Sequence, residues 1–217
     1  MILVYEEDSF VIANKPHGLP TVPLKKNPQQ DTLLSRVGHL CPKVLEVIGK
    51  NEWERGALHR LDTDTSGLVV FAKTQEFYDY LLKEQAEGRF VKTYKSDTDG
   101  DTEETGISSY FRSFGEGRRK VKVEMDYRKA DSPILYTTTI SKKESGVYMC
   151  TITRGFRHQI RSHLSYLSCP IKGDKLYNPS VLPTSTEPLM LDCQKVSFFL
   201  PDGRVFTFDK TTSDRLQ

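Results

Sequence analysis

Residues 59–73 read His59-Arg60-Leu61-Asp62-Thr63-Asp64-Thr65-Ser66-Gly67-Leu68-Val69-Val70-Phe71-Ala72-Lys73, with charged and turn-forming residues directly before an apolar strand. A carboxylate at position 62, with Arg60 before it and a Thr-Ser-Gly turn after it, sits on a bend at a strand entrance, where side chains can face a cleft. Asp62 is the candidate nucleophile, since a positioned carboxylate can form a covalent intermediate and divide one difficult step into two. Its charge requires a cation partner wherever it is partly buried, to oppose desolvation. The bland alternative is a turn or cap aspartate. Asp64 is the rival nucleophile, but alternation along the bend directs the two side chains differently.

The elements that must hold this segment are mostly strands. Residues 2–5 and 10–14 form a short apolar pair, and 68–73, 91–96 and 147–153 are further β-rich runs. Val121, Val123, Met125 and Tyr127 alternate with polar residues as in a strand with one solvated face. Residues 196–200, Pro201-Asp202-Gly203 and 205–208 read as a terminal hairpin. Thr74 can cap a helix running to Glu87, with Phe77, Tyr78, Leu81 and Leu82 as its apolar stripe and Gly88 ending it. Residues 157–168 place Ile160, Leu164 and Leu167 on one helical face and Arg157 and Arg161 on another. A further helical stretch opens at Asp31-Thr32, is interrupted at Cys41-Pro42 and resumes to Ile48. The expected class is α+β, with a mixed, mostly antiparallel central sheet flanked by helices and a central active-site cleft.

The 217 residues suffice for a real core, as one domain or as two closely joined halves. There is no apolar window of about 18 residues and no basic, apolar leader at the start, so a cytoplasmic protein is expected. Cys41, Cys150, Cys169 and Cys193 show no Cys-x-x-Cys pair, which argues against a zinc knuckle or a disulfide framework. His59, His158 and His163 lack i, i+4 ligand spacing, and no metal is expected. A net charge of +2 is weak for a protein that binds a polyanion, so local clusters must compensate. Arg112, Arg118, Arg119, Lys120 and Lys122 form one, and Arg154, Arg157, His158 and Arg161 another. Both suit phosphate contact with counterion release; the first suits a solvated strand face equally well.

The segment from His59 to Lys73 also resembles the signature of the RluA-type pseudouridine synthases. Four more blocks follow that family's order and spacing: Asn14-Lys15-Pro16 with Gly18-Leu19, Lys92 with Tyr94, Gly155 with His158-Gln159-Ile160-Arg161 and His163-Leu164, and Pro170-Ile171 with Gly173-Asp174 and Tyr177. The resemblance implies a stand-alone catalytic domain over residues 1–217, with no separate N-terminal RNA-binding domain and no cofactor, acting as a monomer on uridines of ribosomal or transfer RNA. It implies that Asp62 is the nucleophile and Arg161 its charge partner, and that Tyr94 stacks on the target base and takes part in proton transfer. Arg60 then enters the place left by the flipped nucleotide, and His59, Lys15, Arg118, Arg119, Lys120, Arg157 and His158 contact RNA. Phe156 departs from the family by standing where an arginine is usual, with Arg157 beside it, and Leu191-Asp192-Cys193 departs by replacing Leu-His-Ala. Two other readings compete: a catalytically impaired RNA-binding member of the fold, and a glycosidase, which would need a second carboxylate about 5 Å from Asp62.

Overall fold

The computed structural model describes residues 2–213. Two compact units are present, the residues up to Phe90 together with those from Asp192, and Val91–Leu191. The α+β class and the mostly antiparallel, mixed pairing are as expected.

In the first unit β1 (Leu3–Glu6) pairs antiparallel with β2 (Phe10–Lys15), and β2 with β3 (Ser66–Ala72) from Phe10↔Ala72 to Lys15↔Gly67. Residues 10–13 and 67–72 are buried without alternation, so these strands are covered on both faces and their sequences read as apolar runs. β9 (Leu191–Phe199) joins β3 in parallel at Ser66↔Asp192 and Gly67↔Cys193 and forms the expected hairpin with β10 (Val205–Asp209). Gly67 has φ 113°, and a Cβ there would lie 2.3 Å from the Cys193 carbonyl, so only glycine lets β3 approach β9 immediately after the Asp62 turn.

Two helices pack within this unit. The hydroxyl of Thr32 accepts the Ser35 N–H and starts α1 (Leu33–Leu40), which stops at Cys41; Pro42–Leu45 is a single 3₁₀ turn, shorter than the expected resumption to Ile48. Thr74 caps α2 (Gln75–Ala86) by accepting the Phe77 N–H, and Phe77 stacks on Phe10 at 5.0 Å. The buried stripe is Phe77, Tyr78, Leu81 and Glu84, with Leu82 only half covered. Glu84 tolerates this burial because Arg89 binds its carboxylate with two nitrogens. A four-residue helical turn, α4 (Lys210–Ser213), follows β10.

In the second unit five strands pair antiparallel in the order β4 (Val91–Asp97), β8 (Val147–Ile152), β7 (Tyr136–Glu144), β5 (Gly106–Phe114), β6 (Lys120–Glu124). β5 and β7 escaped sequence reading because their covered faces carry Ser109 and Thr138 in place of a clear apolar alternation. β6 is shorter than expected. It ends at Glu124, and Met125 and Tyr127 stand exposed, because the Asp126 carboxylate accepts the Arg128 N–H and turns the chain into a 3₁₀ segment.

In this unit α3 (Gln159–Tyr166) is also shorter than 157–168, since His158 at φ 55° breaks the helical backbone before it. Arg157 therefore does not share a helical face with Arg161. The face that carries Arg161 is covered as well, for residues 159–164 are all buried.

Candidate active site

In the first unit the Asp62 segment is a turn closed by the Thr65 N–H donating to the Asp62 carbonyl at 3.1 Å. Asp62 is half-buried while Asp64 is exposed, so of the two carboxylates Asp62 has the more sheltered position. The last residue of β2 and residues just after it bond this turn along its backbone. Lys15 Nζ donates to the carbonyls of Thr63 (2.8 Å), Leu19 (2.6 Å) and Pro16 (3.1 Å). His17 Nδ1–H donates to the Asp64 carbonyl at 2.6 Å, and the Thr21 hydroxyl bonds both polar groups of Leu61.

Lys15 is only 1% exposed. Burial pulls its ammonium down to about 8, against the opposing pull of the nearby Asp62 and Asp64 charges. Enclosed by three carbonyls, this ammonium braces the turn.

His59 is half-buried, accepts the Val70 N–H on Nε2 and sets its ring edge-to-face on Phe90. That bond fastens the start of the motif to the strand it precedes and places the ring proton on Nδ1. Arg60 is 57% exposed and reaches Glu54, itself 10% exposed, at 2.7 Å. Its guanidinium is therefore held at the surface by that ion pair. Ser66 donates to Asp192 at 2.6 Å, and Lys210 pairs with the same carboxylate at 2.9 Å. The acid that departs from the family pattern is thereby charge-compensated and tied to the end of the turn.

In the second unit Arg161 and Asp174 form a bidentate pair at 2.8 Å, with 4% and 0% of their side chains exposed. The Asp174 Oδ1 also accepts the N–H groups of Leu176 and Tyr177, satisfying a carboxylate that would otherwise be costly to bury. Gly173 makes the bend possible: at φ 74° a Cβ would lie 2.0 Å from the Pro188 carbonyl. The Arg161 guanidinium lies over the Tyr177 ring at 5.3 Å. The Tyr177 hydroxyl accepts the Val121 N–H at 2.8 Å and bonds His158 Nδ1 at 2.9 Å.

Tyr94 is buried in β4 opposite Cys150. Arg157 extends from the start of α3 to the carbonyls of Arg118 and Lys120, and so splints the β5–β6 hairpin. Arg118, paired with Asp131 at 3.2 Å, and Arg119 are exposed, and Lys120 is half-buried. Phe156 stacks on Phe111 at 4.8 Å and packs against Tyr136, so the second departure serves an aromatic cluster. His163 is buried between the hydroxyls of Ser109 and Thr138, at 2.8 Å from each, and burial pulls its imidazole down to about 4.

Sequence reasoning gave no role to Asp174, Tyr177, Glu54 or Thr21. The Gly-Asp-x-x-Tyr spacing carries an Asx-turn signal that points to Asp174, whereas nothing local marks the others. Among the described residues no group of three or more His, Cys, Asp or Glu could hold a metal, and no helix is long and apolar enough to cross a membrane. All four cysteines are buried and unbridged.

The family model described as RNA pseudouridylate synthase matches residues 9–166. A Mycoplasma pneumoniae protein named an uncharacterized RNA pseudouridine synthase is 28% identical over 99% of this chain and 69% of its own length. The dual-specificity RNA pseudouridine synthase RluA of Vibrio cholerae is 30% identical over 92% of this chain and 77% of its own. Some curated relatives are longer, and of one the chain spans 56%. The solved structure of human RNA pseudouridylate synthase domain containing 1 superposes with a TM-score of 0.72 at 20% identity, covering 95% of this chain and 81% of that one. The chain belongs to the RNA pseudouridylate synthase family, the isomerases that convert uridine in RNA to pseudouridine.

Proposed function

We propose that this chain isomerises particular uridines in structured ribosomal or transfer RNA, with Asp62 as nucleophile and Tyr94 and Arg161 as the further catalytic groups. The bond from the ribose anomeric carbon to N1 of uracil breaks, the freed base rotates, and a bond from that carbon to C5 replaces it; C5 finally loses its proton to solvent and N1 takes one up, so that the product is an isomer of uridine. An ionised Asp62 serves by attacking the ribose or the base, or by assisting formation of an unsaturated sugar intermediate. Tyr94 stacks on the base and takes part in proton transfer, and Arg161 is the cation that stabilises the ionised aspartate.

The observation that carries this reading is the half-buried Asp62 on a turn whose backbone is bonded by Lys15, His17 and Thr21, in a chain of this family. RNA contact falls to Arg60, which fills the gap of a flipped nucleotide, and to Arg118, Arg119 and Lys120 on phosphates. His59, Arg157 and His158 support these groups through their bonds within the protein. The cytoplasm, where such RNA is found, is the proposed location, and the monomer the proposed state.

Release of tritium from C5-labelled uridine in unmodified RNA tests the proposal, with ribosomal and transfer RNA assayed separately. Release by the native protein and none by Asp62→Ala is the expected result and identifies the RNA class. RNA binding without release from either fraction would instead make the chain a binding-only member of the fold, and free uracil would make it a glycosidase.

A further inference from the structure

The backbone on both sides of Asp62 is pinned, and one of the pins is a side chain far away in sequence. The Thr21 hydroxyl donates to the Leu61 carbonyl at 2.8 Å and accepts the Leu61 N–H at 3.1 Å. The N–H belongs to the peptide plane entering Leu61, and the carbonyl to the plane that joins Leu61 to Asp62. One hydroxyl thus fixes both planes, as a rung of an antiparallel ladder would. The next plane, carrying the Asp62 carbonyl, is held by the Thr65 N–H at 3.1 Å. Further along, the Thr63 and Asp64 carbonyls are held by Lys15 and His17.

With the planes before and after its α-carbon both fixed, Asp62 has its Cα–Cβ direction fixed too. Thr21 is 3% exposed and Leu61 7%, so water cannot readily replace the hydroxyl, and both Leu61 groups would be orphaned without it. Valine, the isostere, would fill the same space and make neither bond.

We propose that Thr21 is a positioning residue for the isomerisation: acting through the backbone of Leu61, it sets the direction in which the Asp62 carboxylate is presented. The proposal rests on the reading of Asp62 as nucleophile. Misdirecting a reacting group slows the chemical step more than it weakens substrate binding, so the effect belongs in kcat.

The test is steady-state isomerisation of RNA by the native protein, Thr21→Val, Thr21→Ser and Asp62→Asn, each checked for a cooperative thermal transition. Thr21→Val is expected to lower kcat by about tenfold or more with KM within about twofold, and Thr21→Ser, which keeps the hydroxyl, to stay within about threefold of native. A native kcat in Thr21→Val, a change confined to KM, or an equal loss in Thr21→Ser would each overturn the proposal. Should Thr21→Val fail to fold, His17→Ala tests the same clamp from its exposed end. There a few-fold lower kcat at unchanged KM supports the proposal, and a native kcat overturns it. Asp62→Asn separates the two levels of argument. An active Asp62→Asn removes the nucleophile and the positioning role together, whereas an inactive Asp62→Asn beside a fully active Thr21→Val removes only the latter.

Discussion

The Lys15 ammonium and the Thr63 carbonyl, 48 positions apart in the chain, meet at 2.8 Å. Two blocks that look independent in sequence, Asn14-Lys15-Pro16 and His59-Arg60-Leu61-Asp62, are thereby parts of one construction, in which a buried cation holds the backbone of the turn that carries the candidate nucleophile. Lys15→Met leaves three carbonyls without their donor and is expected to cost about 3 kcal/mol of stability, read as a lowered urea midpoint. With its donors spent on three carbonyls, Lys15 should leave the salt slope of RNA binding native; a flatter slope would make it an RNA contact.

Asp62→Asn keeps the size and the turn of the residue while removing its charge. Turnover should fall by about 10³-fold or more, as when other covalent nucleophiles are removed, with the thermal transition and RNA affinity close to native. Loss of folding in this variant would make Asp62 a structural turn residue.

The Arg161–Asp174 pair is almost wholly excluded from water. Asp174→Ala takes the bidentate carboxylate from a buried guanidinium, and should destabilise the protein by about 3 kcal/mol. Arg161→Lys keeps the charge and loses the bidentate geometry, and should fall between native and Arg161→Ala in both stability and turnover. Urea unfolding and tritium release measure the two effects.

His163 ties α3 to β5 and β7 as a neutral imidazole whose pKa burial has lowered from 6.5 to about 4. The unfolded chain takes up this proton at higher pH than the folded one. The stability gained from the neutral form is therefore fully present above about pH 6.5 and lost as pH falls toward 4. The gap corresponds to about 3 kcal/mol. Native protein should lose more stability between pH 7 and pH 4.5 than His163→Gln does, measured by urea unfolding at each pH.

Arg118, Arg119 and Lys120 project from the turn and first residue of a hairpin that Arg157 splints from behind. Replacing all three by Ala should weaken RNA binding and flatten its dependence on log salt by up to about one unit per lost phosphate contact. An unchanged slope would leave them as a solvated strand end.

β2 and β3 were legible in the sequence because they are buried on both faces, so apolar runs such as Leu68–Ala72 stand out without any knowledge of their partners. The helix behind Thr74 was legible through its cap and its Gly88 stop, both set by neighbours within a few residues. β5 and β7 were not, since their covered positions include Ser109 and Thr138, polar residues that burial accepts only because His163 and Gln159 arrive from α3 to bond them. The end of β6 and the late start of α3 also escaped, each decided by one residue, Asp126 and His158.

By itself the sequence determined the candidate residues and their order, in the Asp62 turn, the tyrosine in β4 and the His-Gln-Ile-Arg block, and with them the family. Only the tertiary structure decided which of these side chains face outward and which are consumed inside. Lys15, read as an RNA contact, became the brace of the turn, Arg161 acquired a buried partner in Asp174, and Thr21, unremarkable in sequence, came to pin Leu61. The reason is that spacing along a chain reports local geometry, whereas the bonds that enclose a charge or satisfy a buried carbonyl join residues tens of positions apart and exist only once the strands between them have paired.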